Sequence, residues 1–328
     1  MIISQTPLRM SFVGGGTDLP AFYRQHGGAV VSTAIDKYVY VTVNRKFDNW
    51  IRVSYSKTEE VESVDLIEHK IVRASLNKVG IAGGVEITSI ADIPSRGTGL
   101  GSSSSFTVGL LHALHAYQGK YVSSNDLGRD ASHIEIDICE ERIGKQDQYA
   151  AAFGGLNFIR FERDDSVVVE PIICGRDVIT QLEQSLIMFY TGVTRSASAI
   201  LSNQSQQAED SAAAQLTLRK MTRLADGLRD ELRANHLNAF GDILHENWLL
   251  KKGITTEISN PRIDEWYEKA RQAGAIGGKL LGAGGGGFLL FYAAPDKHAA
   301  IELALADLRR TEIKLDNRGS RIILFHNS

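Results

Sequence analysis

Three glycine-rich stretches constrain this chain more than any other feature. Val13-Gly14-Gly15-Gly16-Thr17-Asp18 lies near the start, and Pro94-Ser95-Arg96-Gly97-Thr98-Gly99-Leu100-Gly101-Ser102-Ser103-Ser104-Ser105 in the middle. The run Gly277 to Gly287, with Gly282, Gly284, Gly285 and Gly286, lies toward the end. Backbone that must approach a ligand closely needs glycine. Three such loops, far apart in sequence, predict one shared site. At about 150 residues per domain, a chain of 328 residues makes two domains. A change of character past residue 175 divides it into 1–175 and 176–328, with a soft boundary over 170–185.

Charge and composition exclude several classes. Lysine and arginine number 36 against 39 acidic residues, a net charge of −3. Binders of nucleic acid or anionic membranes carry a basic surplus. The chain is 43% hydrophobic, ordinary for a folded protein. Its long apolar run, Phe288 to Ala294, is far short of the ~20 residues a membrane helix needs. The start, Met1-Ile2-Ile3-Ser4, shows no secretory pattern. Cys139 and Cys174 form no CxxC pair, which fits free thiols in the cytoplasm. The nine histidines form no HxH or HxxxH pattern that would signal zinc.

The first half reads as strands over 29–45, 85–90 and 156–161. Helices run from Phe106 to Gly119, from Ser124 or Asn125 to Gly144, and from Asp147 to Gly154. The second half reads as a strand at 185–190 and long helices over 208–234 and 237–251. Helix 262–273, strands 275–281 and 287–293, helix 296–309, and strands 311–315 and 321–325 follow.

The middle cluster lies between a strand and a helix and ends in four serines, so backbone N–H groups, hydroxyls and a helix N-terminus converge there. That is a phosphate cradle, though not a Walker A loop. Gly282, Gly284 and Gly287 match G-x-G-x-x-G but lead into a strand, which excludes a dinucleotide fold. Asp147 reads as a helix cap, a base, or both. Glu135, next to apolar Ile134, reads as a solvated surface residue. Arg9 reads as structural, and Asp18 as a sugar-hydroxyl acceptor or a turn residue.

Together these stretches resemble the three ordered motifs of the GHMP kinase family. Pro7 to Asp18 resembles the first motif, Pro94 to Ser105 the ATP-phosphate motif, and Lys279 to Phe288 the third. The resemblance implies an α+β fold of two domains. The N-terminal one is ribosomal-protein-S5-domain-2-like and the C-terminal one ferredoxin-like. It also implies ATP and Mg²⁺ as cofactors, a sugar-phosphate acceptor, and room for a homodimer.

Pro7 to Tyr23 and Gly144 to Gly155 look most like bacterial D-glycero-D-manno-heptose 7-phosphate kinases, while L-fucose kinases share a similar first motif. A catalytically idle regulator or a diphosphate decarboxylase on the same fold are further alternatives. The resemblance makes Asp147 catalytic, with Arg9 beside the reacting hydroxyl. Glu135, twelve positions earlier, and Ser103 become metal ligands, with Glu141 competing for Glu135's role. Pro94, Arg96, Gly97, Gly99, Leu100, Gly101, Ser102, Ser103, Ser104, Gly284 and Gly285 become ATP contacts. Gly15, Gly16, Thr17 and Asp18 hold the sugar, and Arg195 and Lys37 are candidates for its phosphate. Ser104 and Ser105 stand where the family usually has small apolar residues.

Overall fold

The computed structural model describes residues 1–93, 97–193 and 197–326. The chain opens with β1 (Ile2–Val13), α1 (Pro20–His26), β2 (Gly28–Arg45), β3 (Ile51–Ser54) and β4 (Thr58–Val61). Then come α2 (Lys70–Val79), β5 (Val85–Ala91), α3 (Ser102–Tyr117), α4 (Ser124–Ser132), a π-helical stretch His133–Ile138, and α5 (Gln146–Phe153). β6 (Leu156–Phe161) and β7 (Val167–Pro171) complete the first half. The second half holds α6 (Arg176–Ser185), β8 (Leu186–Tyr190), α7 (Ala197–Asp210), α8 (Ala212–Arg233), α9 (Phe240–Lys252) and α10 (Pro261–Gln272). It ends with β9 (Gly277–Leu280), β10 (Phe288–Tyr292), α11 (His298–Ala304), β11 (Arg309–Thr311), β12 (Leu315–Asp316) and β13 (Arg321–Phe325).

Two sheets organise these elements. The larger has nine strands in the order β13-β1-β2-β5-β3-β4, with β6 and β12 also pairing β2. The smaller has the order β11-β8-β10-β9. β2 is long enough to take three partners along one edge. β6 covers Gly28 to Thr33, β12 covers Ala34 and Ile35, and β5 covers Val39 to Arg45. β12 and β13 lie within 176–328 yet belong to the sheet built by the first half.

Residues Leu8 to Val13 of β1 are all buried, so both faces of this strand are covered. A register shift against β2 falls between Pro7 and Leu8. Such irregularities re-aim side chains, and the next residue is Arg9. α3 packs on β1 where Gly109 has no side chain, and Ser4 donates to the Gly109 carbonyl at 2.7 Å. One apolar core runs through both halves, with Phe12 edge-on to Phe240 at 5.1 Å between ring centroids. Among the described residues no helix is long and apolar enough to cross a membrane.

Several boundaries differ from those the sequence suggests. The helix read over 208–234 is two, because Ser211 breaks out and caps α8 by accepting from Ala214 N–H. α4 is capped by Ser123, rather than Ser124 or Asn125. The stretch read as reaching Gly144 passes into the π-helical stretch and stops at Cys139. α11 is shorter than 296–309, and the strand read over 311–315 divides into β11 and β12.

Candidate active site

The second and third glycine loops touch, and Lys251, beside Gly15 of the first, bonds Gly282 of the third. A Cβ on Gly99 would lie 2.3 Å from the Leu281 carbonyl oxygen, and one on Gly282 would lie 2.4 Å from the Gly99 Cα. One on Gly287 would lie 2.4 Å from the Thr98 carbonyl oxygen. The second and third loops are therefore in direct backbone contact, which residues with side chains forbid. Arg9 ties the first motif to the same place. Its N–H donates to Leu100 O at 3.0 Å and its Nη1 to Gly99 O at 2.7 Å. Gly284 and Gly285, expected as ATP contacts, pack on the backbone of Ile258.

The middle loop turns through positive φ at Gly97, Gly99 and Gly101. Gly101 precedes α3 and supplies no side-chain cap. The first intrahelical bond is donated by Ser105 to Gly101 O. The N–H groups of Ser102, Ser103 and Ser104 are left for an anion, where the helix dipole also favours negative charge. Ser103 is exposed at this end. Ser104 turns its hydroxyl inward to Glu135, and Ser105 donates to Pro7 O at 2.8 Å. These inward bonds account for two serines where small apolar residues are usual.

Glu135 is fully buried, contrary to the solvated surface position its neighbours suggest. The π-helical stretch widens the turn and brings Ile134 and Glu135 inside together. Its carboxylate accepts from Ser103 Oγ at 2.9 Å, Ser104 Oγ at 2.8 Å and Gln148 Nε2 at 2.6 Å. Burial pushes its pKa up, and these donors oppose the shift. Glu141 donates its backbone N–H to Glu135 O at 2.9 Å and lines a cavity of about 920 Å³ together with Ser102, Ser103, Tyr55, Ile90 and Phe106.

Asp147 does not cap its helix. α5 is preceded by Lys145 with no side-chain cap, and the carboxylate faces Arg9. Arg9 grips it through two nitrogens, with Arg9 4% and Asp147 25% exposed at the side chain. Asp18 is buried and accepts from Gly16 N–H at 3.0 Å, Gln146 N–H at 3.2 Å and Gln146 Nε2 at 3.1 Å. Burial, then the Asp147 charge, raises its pKa. Gly144 leaves room for this carboxylate, since a Cβ there would lie 1.9 Å from Asp18 Oδ2.

Gly15 and Gly16 face this centre, but Thr17 does not. The Thr17 hydroxyl donates to Ala29 O and accepts from Ala29 N–H, which spends it on the β2 backbone. The Lys37 ammonium lies 3.3 Å from the carboxylate of its neighbour Asp36. Pro94, Arg96 and Arg195 lie outside the described residues.

Four polar residues that the sequence reading gave no role stand here. Lys251, in the last turn of α9, is buried and donates to Gly282 O at 2.7 Å. Burial lowers its pKa to about 8. Lys279 donates to Ser11 O at 2.6 Å and Phe12 O at 3.0 Å. Asn247 accepts from Gly14 N–H at 3.1 Å. Gln204 of α7 lies against Gly16, whose missing Cβ would be 2.0 Å from its Nε2.

Comparison with known proteins agrees with this geometry. The models for the GHMP kinases N terminal domain and GHMP kinases C terminal match residues 66–155 and 228–311. The chain is 29% identical over 311 residues to the D-glycero-alpha-D-manno-heptose 7-phosphate kinase of Campylobacter jejuni, covering 90% of each. It is 26% identical over 323 residues to the bifunctional fucokinase/GDP-fucose pyrophosphorylase of Arabidopsis thaliana, covering 91% of this chain and 30% of that one. A D-glycero-D-manno-heptose 1-phosphate kinase structure from Bacteroides thetaiotaomicron matches the fold over the whole of both chains, with a TM-score of 0.82 at 24% identity.

Proposed function

Since the chain belongs to the GHMP kinase family and is an ATP-dependent sugar kinase, we propose that it phosphorylates the anomeric hydroxyl of D-glycero-D-manno-heptose 7-phosphate, giving the 1,7-bisphosphate. The observation that carries this reading is the Arg9–Asp147 pair, which stands between the uncapped start of α3 and the polar surroundings of Gly15 and Gly16.

The triphosphate lies along Gly97 to Ser104, held by backbone N–H groups and the helix dipole. Its base occupies the adjoining cavity. The anomeric oxygen forms the new bond to the γ-phosphorus as the bond to the ADP oxygen breaks. Asp147 accepts the hydroxyl proton or orients the hydroxyl, and Arg9 fixes that carboxylate beside the reacting oxygen. The charge of such a transition state spreads over the phosphoryl oxygens, so fixed donors contribute most of the stabilisation.

Ser103 and Glu135 supply hydroxyl and carboxylate oxygens, the hard donors that suit Mg²⁺. Among the described residues there is no cluster of three or more acidic, histidine or cysteine ligands. Bound there, Mg²⁺ supplies neutralising charge to the triphosphate.

L-Fucose is the second reading. It is favoured by the 26% identity to a bifunctional fucokinase/GDP-fucose pyrophosphorylase over 91% of this chain. Phosphorus NMR with Mg-ATP and either sugar tests both. An anomeric phosphate on the heptose supports the first reading, one on fucose alone replaces it with the second, and none on either overturns both.

A further inference from the structure

The first glycine loop is ringed by polar groups with unused hydrogen-bonding capacity. Among the described residues, Ser11 Oγ, Gln146 Oε1, Asn247 Nδ2 and both amide atoms of Gln204 are buried without a partner. Orphans of this kind are rare and unfavourable. Here they gather at one place. The open Cβ position of Gly15 is 3.5 Å from Lys251 Nζ, 3.6 Å from Ser11 Oγ and 3.7 Å from Gln146 Nε2. Gln204 lies against Gly16, and Asn247 holds Gly14. Lys251 has three N–H donors, and its hydrogen-bond acceptor among the described residues is Gly282 O.

The chemistry of the ring identifies what would satisfy it. A phosphate brings acceptors alone and would leave Gln146 Oε1 and Gln204 Oε1 unpaired. Vicinal hydroxyls donate and accept, and so match a ring that mixes carboxamide oxygens with amide and ammonium N–H groups. Asp18, bound to Gly16 and Gln146 on the same loop, repels an anion and suits a hydroxyl.

We propose that Lys251 of α9 and Gln204 of α7 are substrate-binding residues, which grip sugar hydroxyls from the C-terminal half over Gly15 and Gly16. This rests on the sugar-kinase reading of the site. Lys251 also bonds the third glycine loop through Gly282, whose Cα packs on Gly99. One side chain therefore joins the sugar to the third glycine loop.

The test is steady-state kinetics of Lys251→Met with Mg-ATP and whichever of heptose 7-phosphate or L-fucose the wild type uses. Loss of a charged hydrogen bond raises the sugar KM about tenfold or more, with the ATP KM changed about twofold at most. An unchanged sugar KM, or equal rises in both, overturns the assignment. If Lys251→Met does not fold, Gln204→Leu is read by the same split. If the wild type uses neither sugar, the substrate reading fails, and thermal melting then decides for Lys251. A residue kept for a ligand is a stability liability, so Lys251→Met should melt at or above the wild type. A lower melting point marks a purely structural tie to Gly282 and overturns the proposal.

Discussion

Arg9 holds Asp147 edge-on, with Nε 2.7 Å from Oδ1 and Nη2 2.8 Å from Oδ2. A two-point grip fixes the plane of the carboxylate as well as its position. Asp147→Asn keeps one oxygen for the guanidinium but loses the proton acceptor. The variant should fold and bind ATP, while kcat falls about 10²–10⁴-fold. Coupled detection of ADP release, with nucleotide binding measured separately, checks this. A near-normal kcat removes Asp147 from the chemistry.

Glu135 offers a different balance. Its burial penalises the charge that a metal needs. Glu135→Gln relieves that penalty, and rotated serine hydroxyls can pair with the amide. Its melting temperature should match or exceed that of the wild type. The Mg²⁺ concentration for half-maximal rate should rise about 10–100-fold. Magnesium titration at saturating ATP reads the effect, and an unchanged midpoint excludes Glu135 as a ligand.

The contact between the second and third loops is purely backbone, so it has no tolerance. Gly282→Ala places a methyl group 2.4 Å from the Gly99 Cα, at a φ of 78°. Gly99→Ala meets the Leu281 carbonyl oxygen from the other side. Each should cost about 1–3 kcal/mol in denaturant unfolding and raise the ATP KM. Because both force the same two loops apart, the double variant should cost less than the sum. Strict additivity would show that the loops respond separately.

Lys251 makes stability depend on pH in a defined direction. Burial sets its pKa at about 8, against an ordinary 10.5. Between these values the unfolded chain binds a proton that the folded chain does not, so this group's contribution to stability rises with pH. Its cost is fully present below about pH 8 and is lost by about 10.5. Lys251→Met lacks that cost. Its stability relative to wild type should be most favourable at neutral pH and decline steadily through this window. Urea unfolding across the window checks the slope, and a difference independent of pH contradicts the assignment.

The loops were legible because a glycine's requirement is local. Gly99 and Gly282 announce a close approach whatever their partner, and β6 has the bounds its own pattern suggests. Asp147 and Arg9 were legible through the motifs that contain them. The burial of Glu135 was not, since a single π-helical turn cancels the 3.6-residue periodicity from which exposure is inferred. Lys251 in a final helical turn reads as ordinary dipole compensation, and Gln204 reads as a polar surface residue. Their approach to Gly15 and Gly16 depends on how α7 and α9 pack, which no local pattern encodes. The short strands β3 and β4 and the late return of β12 escaped for the same reason.

That return has a consequence for how the molecule is made. β12 pairs with Ala34, the residue opposite Arg9 across β1 and β2, and β13 closes the outer edge of β1. On the ribosome, Arg9 emerges long before the strands that finish its sheet. A nascent chain stopped before residue 315 carries all three glycine loops but leaves β1 as a bare edge, the kind that recruits other strands. Completion of this sheet therefore waits on strands that follow all three glycine loops in the chain.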